Sequence, residues 1–182
     1  MPSNLDPIRQ KLGLIHIYCG DGKGKTTASI GLSVRARGRD LNVRFVQFLK
    51  TGTSAELDQL RKLGVDVISG QLQNKFIFQM TEEEKQATKA FFEERLQDVI
   101  DDADQYDLIV LDEIMGAIAT GIIDEQDVLD FLDTKPEHTE VVLTGRDPSE
   151  VLRAKADYVS EVMMRKHPYE TSGMQGRAGI EF

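Results

Sequence analysis

The segment YCGDGKGKTTAS, residues 18–29, carries the residue types of a phosphate-binding loop. The usual loop follows the pattern G-x-x-x-x-G-K-[ST]. The closing G-K-T is present at residues 24–26, but the position of the first glycine holds Cys19, and the glycine follows one residue later, at Gly20. The loop is therefore one residue shorter than usual, while the residues that contact phosphate are retained.

Each residue type in this loop can contribute to holding a phosphate. The backbone N–H groups of Gly22, Lys23 and Gly24 can wrap phosphate oxygens, because glycine permits positive φ and a close approach of the backbone. A helix that begins here adds a partial positive charge. Lys25 supplies a full charge, and the hydroxyl of Thr26 can ligate Mg²⁺. The alternative is a glycine-rich turn without a ligand, and a G-K-T-T sequence between a strand and a helix argues against it.

A second candidate site lies in YDLIVLDE, residues 106–113, which ends in Asp112 and Glu113. Four apolar residues followed by two carboxylates resemble the end of a Walker B strand. The carboxyl ends of parallel strands converge on the ligand crevice, and a carboxylate there can hold Mg²⁺ directly or through water. A solvated acidic strand end is the alternative. The presence of the phosphate loop in the same chain favours the magnesium site.

Two further stretches are open to a functional interpretation. Phe76 and Phe78 lie in residues 70–80, which fit no clean period, so they either pack inward or form an exposed aromatic wedge over a flat, apolar ligand. The sequence His167, Pro168, Tyr169 near the end of the chain is either a tacked-down terminus or a lid near the site.

Three residues are of types that often act in catalysis or metal binding, but we predict structural roles for them. Cys19 is predicted to be a small buried residue at a strand end, because free cysteine behaves as a small hydrophobe. His16 and His138 have no partner at a ligand spacing, so both are also predicted to be structural.

The composition limits the function classes. The chain has 182 residues and a formal net charge of −9, with no basic block, so we expect no nucleic-acid partner. Its single cysteine excludes a disulfide framework and predicts a reducing compartment, the cytoplasm. The first residues have no apolar core, so no signal peptide is expected, and no apolar run approaches the ~20 residues that span a bilayer.

Strands and helices alternate along the chain. Apolar runs predict strands at residues 14–19, 43–48, 65–69, 106–113, 139–146 and 158–163, the last at an edge. Helices are expected after the loop, after the capping boxes that begin at Thr53 and Thr81, after Asp124, and after Asp147 with Pro148 in its first turn. We therefore expect a three-layer, mostly parallel α/β fold in a single domain, residues 1–182.

The order of these motifs resembles the P-loop type of corrinoid adenosyltransferase. The matching segments are GDGKGKTTASIGLSVRARG, VRFVQFLK, LIVLDE, VVLTGR, ADYVSEV and a tail that reads HPYE and closes with GRAGIEF. The resemblance runs from residue 15 to residue 182, nearly the whole chain. The short-spaced loop and the closing G-I-E-F are its most specific parts.

The resemblance implies a P-loop fold of the RecA-like type and a homodimer. It implies transfer of the 5′-deoxyadenosyl group of ATP to the Co(I) of cobalamin or a corrinoid precursor, with release of triphosphate. A reductase that supplies Co(I) is implied as a partner. It also implies a reversed ATP, in which the α-phosphate takes the place that the γ-phosphate has in ordinary P-loop ATPases.

The resemblance also assigns residues. The loop positions expected to bind ATP are Gly20, Asp21, Gly22, Lys23, Gly24, Lys25, Thr26 and Thr27. Arg35, Arg146 and His167 are expected near the nucleotide, and Thr26, Asp112 and Glu113 near Mg²⁺. Lys25 is expected to stabilise the leaving triphosphate, and Phe76 and Phe78 to displace the lower axial ligand of cobalt, which makes Co(II) easier to reduce.

The chain departs from the family pattern in several places. It has no tryptophan, which the family often has as its second aromatic, so Phe78 takes that role. Asp21 stands where asparagine is common and adds a negative charge beside the phosphates. The N-terminal arm, residues 1–13, is short, and the tail, residues 164–182, has an extra residue before its last motif.

The sequence alone leaves other functions of a P-loop protein open. A kinase or NTPase that cleaves the γ-phosphate would need a base or an arginine finger, for which Arg146 is the best candidate. A RecA-like nucleic-acid motor is disfavoured by the acidic balance. A nucleotide-regulated binding protein without turnover is the third alternative.

Overall fold

Six parallel strands form one sheet in the order β3-β2-β4-β5-β1-β6. The structure is a computed structural model and describes residues 7–73 and 75–180. The strands are β1 (Ile15–Cys19), β2 (Val43–Gln47), β3 (Asp66–Ile68), β4 (Leu108–Asp112), β5 (Glu140–Thr144) and β6 (Tyr158–Glu161). All six lie where the sequence predicts them, and β6 is an edge strand as expected.

Helices connect successive strands, and a further short helix follows β6. They are α1 (Lys25–Arg37), α2 (Ala55–Lys62), α3 (Glu82–Asp101), α4 (Ile114–Ala119), α5 (Glu125–Thr134), α6 (Glu150–Lys155) and α7 (Pro168–Ser172). The alternation of elements and the parallel sheet confirm the α/β expectation. The short helix α7 lies in the tail, where the lack of periodicity predicts none. Among the described residues, no helix has the length and apolar character needed to cross a membrane.

The sheet has a hydrophobic core on each face. Along β4, Ile109 and Leu111 pack into the core formed with α3, α4, α5 and α6. Leu108 and Val110 pack into the second core, which lies against α1 and α2. Successive side chains of a strand point to opposite faces, so a strand buried on both sides is a continuous apolar run. This explains the run LIVL and confirms three layers.

The strand order brings three polar strand ends together. β5 lies between β1 and β4 and pairs with both. The phosphate loop follows β1, while Asp112 ends β4 and Thr144 ends β5. All three strands are parallel, so these groups share the carboxyl edge of the sheet, where ligands of open α/β folds bind.

One of the predicted helix starts agrees with the structure in detail. The hydroxyl of Thr81 accepts from the backbone N–H of Glu84, whose carboxylate accepts from the N–H of Thr81. This reciprocal pair is the capping box that the sequence indicates.

Two other predicted starts are wrong. The N-cap of α2 is Ser54 rather than Thr53, without a side-chain cap bond, because the Thr53 hydroxyl instead contacts that of Thr51. The N-cap of α6 is Ser149, whose hydroxyl accepts from the N–H of Leu152. The helix therefore begins after Pro148, two residues later than predicted.

Candidate phosphate and corrinoid site

The loop ends in the first turn of α1. Gly24 is the N-cap, has φ 124°, and has no side chain that could cap the helix. A Cβ at Gly24 would meet no atom within 4 Å, so the backbone stands open on that side. The amide groups of Lys25, Thr26 and Thr27 belong to the first turn, where N–H groups have no acceptor within the helix. This end of α1 can therefore bind an anion.

The glycines earlier in the loop are required by the protein itself. A Cβ at Gly20 or Gly22 would lie 2.5 or 2.7 Å from the carbonyl oxygen of Val162. The N–H of Gly22 donates to this same oxygen at 2.7 Å. The short loop thus packs directly against the backbone that follows β6. This packing requires glycine at both positions, whether or not a ligand is bound.

Lys25 is buried and tied to the loop. Its Nζ donates to the carbonyl oxygens of Gly20, at 2.7 Å, and Gly22, at 2.8 Å. The ammonium therefore fixes the curvature of the loop as well as carrying charge. Lys25 also lines the cavity beside the loop, so its charge lies where a phosphate would bind.

Asp112 is fully buried and accepts four hydrogen bonds. Its Oδ1 accepts from the hydroxyls of Thr26 and Thr144, each at 2.8 Å. Its Oδ2 accepts from Lys50 Nζ at 3.0 Å and from Gln47 Nε2 at 3.3 Å. The carboxylate therefore holds together the ends of three strands and the start of α1.

Glu113 differs from its neighbour in exposure and backbone. It is half-buried, lines the cavity beside the loop, and has φ 63° in the left-handed region. Its N–H donates to the hydroxyl of Thr144 at 2.9 Å. Non-glycine residues in this conformation cluster at functional sites, where the surrounding structure maintains the strain. Here the strain turns the Glu113 side chain toward the cavity.

The cavity beside the loop has a volume of about 860 Å³. We call it the phosphate cavity. The residues that line it, among those predicted from the sequence, are Asp21, Gly22, Lys23, Gly24, Lys25, Thr26, Thr27, Glu113, Arg146 and His167. The structure thus brings together most of the predicted nucleotide-binding residues.

Three of the residues predicted to bind the nucleotide or Mg²⁺ do not line this cavity. Gly20 lies behind the loop and offers its carbonyl oxygen to Lys25. Asp112 is covered by its four donors. Arg35 is exposed in the last turn of α1, ten residues from Lys25, or about 15 Å at 1.5 Å per residue. Arg35 therefore lies far from the phosphate loop of its own chain.

The sequence interpretation missed other cavity residues. Lys50 follows β2, and Ser54, Glu56 and Gln59 belong to the start of α2. A lysine two residues after VRFVQF was the available signal for Lys50, because that edge of the sheet holds the site. Two tail residues, Gly179 and Ile180, also line the cavity. The last two residues of G-I-E-F, 181–182, lie outside the described residues.

Asp21 is exposed at the cavity and bound to the tail. Its Oδ1 accepts from the N–H of Met164 at 2.8 Å. This hydrogen bond is the main cause of a lowered pKa for the Asp21 carboxyl, with Arg146 and Lys25 as further positive groups. Because the pKa is below its ordinary value, the Asp21 carboxylate is charged at neutral pH. The hydrogen bond from Met164 is weakened only as the pH falls through that lowered pKa.

We expect Asp21→Asn to tighten ATP binding by roughly two- to fivefold at low salt. The amide oxygen can still accept from Met164, while the charge that repels phosphate is removed. The KM for ATP at several salt concentrations measures the effect, which should shrink as salt rises. An unchanged KM at low salt would show that Asp21 does not face the nucleotide. Asp58→Asn, which removes an exposed charge of α2 away from the cavity lining, is the control.

Phe76 and Phe78 are exposed and stacked on each other. Their side chains are 70% and 82% exposed, and their ring centroids are 5.5 Å apart with planes 7° from parallel. Both line a second cavity of about 570 Å³, which we call the aromatic cavity. Of the two alternatives that the sequence leaves open, inward packing is excluded, and the exposed wedge agrees with the structure. The stretch is not wholly irregular, since Ile77–Gln79 form one 3-10 turn.

A short segment after β2 joins the two cavities. Leu49, with φ 56°, lines the aromatic cavity, and the next residue, Lys50, lines the phosphate cavity. Arg95 supports this segment from below, because its Nη1 donates to the carbonyl oxygens of Gln47 and Gly70 at 2.9 and 2.8 Å. Adjacent residues of one segment therefore line the two cavities.

Cys19 and His16 lie in structural surroundings, as predicted. Cys19 is fully buried in the core beside α3 and α4. His16 Nε2 lies 2.6 Å from Glu140 Oε1, and its ring stacks on Tyr158. Glu140 is 124 residues away in the chain, so the local spacing of residue types could not indicate this pair.

The residues at this edge fit a magnesium ion bound together with phosphates. Mg²⁺ prefers oxygen ligands, keeps several waters, and is held by one or two carboxylates plus substrate phosphates. The Thr26 hydroxyl and the Glu113 carboxylate both line the phosphate cavity. Within residues 7–73 and 75–180, no group of three or more His, Cys, Asp or Glu side chains could hold a metal alone. Phosphate oxygens would therefore have to complete the site.

Comparisons with known proteins identify the family of this chain. A protein-family model described as ATP:corrinoid adenosyltransferase BtuR/CobO/CobP matches residues 11–182. A corrinoid adenosyltransferase from Sinorhizobium sp. is 35% identical over 93% of this chain and 80% of its own length. The corrinoid adenosyltransferase CobA of Salmonella typhimurium is 31% identical over 96% of this chain and 88% of its own length.

Two further proteins have a lower sequence identity to this chain. A corrinoid adenosyltransferase of Escherichia coli K12 is 29% identical over 93% of this chain and 86% of its own length. Among solved structures, domain III of the Thermotoga maritima replication initiation protein DnaA aligns with a TM-score of 0.39 and 17% identity, over 84% of this chain and 55% of that one. The family match and the relatives above 30% identity decide the assignment: the chain belongs to the ATP:corrinoid adenosyltransferase family.

Proposed function

We propose that this protein transfers the 5′-deoxyadenosyl group of ATP to the Co(I) of a reduced corrinoid and releases triphosphate. Family membership supports the reaction. The structural observation that carries it is the pair of cavities, because adjacent residues Leu49 and Lys50 line an aromatic cavity and a phosphate cavity. A flat corrinoid substrate suits the first cavity, and a polyphosphate suits the second.

The reaction is a displacement at carbon. Co(I) supplies the electron pair of the new cobalt–carbon bond to C5′ of the ribose. The bond between C5′ and the phosphate oxygen breaks, and the triphosphate leaves with that electron pair. No proton has to move, so the protein needs no general base. It must align cobalt with C5′ and stabilise the charge that grows on the triphosphate, and both tasks are positioning and electrostatics.

The residues of the phosphate cavity would perform the second task. The amides of the α1 start and the ammonium of Lys25 would bind the triphosphate, together with Arg146 and His167, which also line the cavity. Mg²⁺, held by Thr26 and Glu113, would supply further positive charge to the leaving group. Asp112 would act from beneath, by orienting the Thr26 hydroxyl that it accepts from.

Product identity tests the proposed reaction. The protein is incubated with ATP, Mg²⁺ and chemically reduced cobalamin, and triphosphate is expected together with a light-sensitive cobalt–carbon bond. ADP released without corrinoid adenosylation would contradict the proposal and support γ-phosphate cleavage instead. The kinase or NTPase alternative has no support among the relatives.

We expect Phe78→Ala to lower the rate of adenosylation from Co(II) corrinoid by about tenfold or more, with much less loss from pre-reduced Co(I). The phenylalanine pair would displace the lower ligand of Co(II), and this help is not needed once cobalt is reduced. Because Phe78 is 82% exposed, the change should barely alter the thermal midpoint. Rates from both cobalt states, with the same reductant, measure the split.

Val151→Ala is the matched control, since it truncates an exposed apolar side chain on α6. It should leave both rates unchanged. Equal losses from Co(II) and Co(I) in Phe78→Ala would show that the residue serves only in general corrinoid binding or in structure.

We propose three further properties on the same basis. A reductase that delivers an electron to Co(II) is needed, because the reaction starts from Co(I). A cytoplasmic location suits a protein that consumes ATP and a strongly reduced substrate. A homodimer is supported by the exposed Tyr158 and Val159 of the edge strand β6, and light scattering at several concentrations tests it.

A further inference from the structure

Lys50 contacts the two atoms where a magnesium site is expected. Its Nζ lies 3.0 Å from Asp112 Oδ2 and 3.5 Å from Thr26 Oγ1. Lys50 is the cation among the four hydrogen-bond donors to Asp112. Its side chain is 28% exposed, whereas that of Asp112 is fully buried, so the ammonium lies at the boundary between the buried carboxylate and the cavity.

The four donors leave no acceptor site on Asp112 for a metal ion. A carboxylate offers about four lone-pair sites, and here two hydroxyls, one amide and one ammonium use them. The hydroxyls of Thr26 and Thr144 and the amide of Gln47 belong to the scaffold that joins the strand ends. A divalent cation that approached Asp112 and Thr26 would therefore compete with the ammonium of Lys50 first.

The surroundings offer the ammonium a second position. Lys50 lines the phosphate cavity together with the loop residues Lys25 and Thr26. A lysine carries its charge on a flexible four-carbon stem, so it can exchange one anion for another without movement of the backbone. A bound triphosphate would bring several negative charges into this cavity.

We propose that Lys50 is a stand-in cation: it occupies the cation position beside Asp112 and Thr26 in the nucleotide-free protein and moves onto the triphosphate when metal and nucleotide bind. This inference rests on the proposed function, since it needs the phosphate cavity to hold a metal–triphosphate group. It makes Lys50 a binding residue for the leaving group, in addition to the loop.

The exchange has a consequence for the order of binding. Without a nucleotide, the ammonium neutralises Asp112 and has no better partner, so free divalent metal binds poorly. With a nucleotide, the triphosphate attracts the ammonium and brings the metal with it. The site therefore accepts the metal–nucleotide complex and rejects the metal alone.

Lys50→Gln separates the two roles of this residue. Glutamine can still donate a neutral hydrogen bond to Asp112, so the fold is retained, but the charge is gone. Binding of Mn²⁺ to the nucleotide-free variant, measured by electron paramagnetic resonance, is expected to be about five times tighter than in the wild type. Binding of tripolyphosphate without metal, measured by calorimetry, is expected to be about ten times weaker.

Two variants serve as controls. Lys50→Arg keeps the charge and should change both affinities by less than about threefold. Lys89→Gln removes the same charge from an exposed pair on α3 and should change neither. Unchanged or weaker Mn²⁺ binding by Lys50→Gln would overturn the proposal, and so would unchanged tripolyphosphate binding.

A structure of the wild-type protein gives an independent test. Crystals grown with Mn²⁺ and a non-reactive ATP analogue should show Lys50 Nζ on a phosphate oxygen and no longer on Asp112. A Lys50–Asp112 contact retained beside bound Mn²⁺ would overturn the proposal. Neither test uses a corrinoid, so the stand-in role can fail while adenosylation is observed, and the reverse.

Discussion

Asp112→Ala is expected to lower the free energy of unfolding by about 3 kcal/mol or more. The carboxylate accepts from four donors, and two of the residues that supply them, Gln47 and Thr144, are fully buried. After the change, their donor groups have lost the acceptor Asp112 and cannot reach water. Each unsatisfied buried donor therefore destabilises the folded state. Lys50 can turn toward solvent, which limits the loss. Denaturant titration with a fixed slope measures the difference.

The neighbouring residue provides the matched control. Glu113→Ala removes the same charge one position further on, from a half-buried side chain that faces the phosphate cavity. It should cost less than about 1 kcal/mol of stability, while it weakens binding of the metal–nucleotide complex. Equal stability losses in the two variants would contradict the role of Asp112 as the polar centre of the strand ends.

Lys25→Met is expected to reduce kcat/KM for adenosylation of pre-reduced corrinoid by about 10²- to 10³-fold. The Lys25 ammonium is the buried charge of the loop. It would therefore stabilise the negative charge that develops on the triphosphate in the transition state. It also bonds to the carbonyl oxygens of Gly20 and Gly22, so its removal loosens the loop. Initial rates over a range of ATP concentrations measure the loss, and thermal melting shows how much of it is structural.

Lys23→Met is the comparison that isolates this role. Lys23 lies in the same loop and carries the same charge, but it is exposed. Its replacement should reduce kcat/KM by less than about tenfold, because an exposed charge is screened by water and salt. Similar losses in both variants would mean that net loop charge, rather than the buried ammonium, binds the leaving group.

Most of the fold could be predicted from the sequence. The apolar runs of the strands and the capping box at Thr81 are local signals, and the alternation of helices with strands has few parallel-sheet solutions. The starts of α2 and α6 were predicted wrongly, since several residues of the right type stand side by side there. Which hydroxyl becomes the cap depends on the path of the chain before the helix.

The phosphate loop is the part of the site that local sequence determines. Its glycines, Lys25 and Thr26 act through the backbone of one turn and one helix start, so their spacing is enough to predict phosphate binding. The sequence alone also indicates a carboxylate at the end of a buried strand, but it leaves open whether Phe76 and Phe78 pack inward or are exposed.

The tertiary structure decides what surrounds these residues. It places the carbonyl oxygen of Val162 against the loop, so that Gly20 and Gly22 are required by packing. It also covers Asp112 and brings Lys50 to it from another strand, 62 residues away in the chain. Such contacts depend on the order of strands in the sheet, and no local pattern of residue types encodes which strand ends will meet.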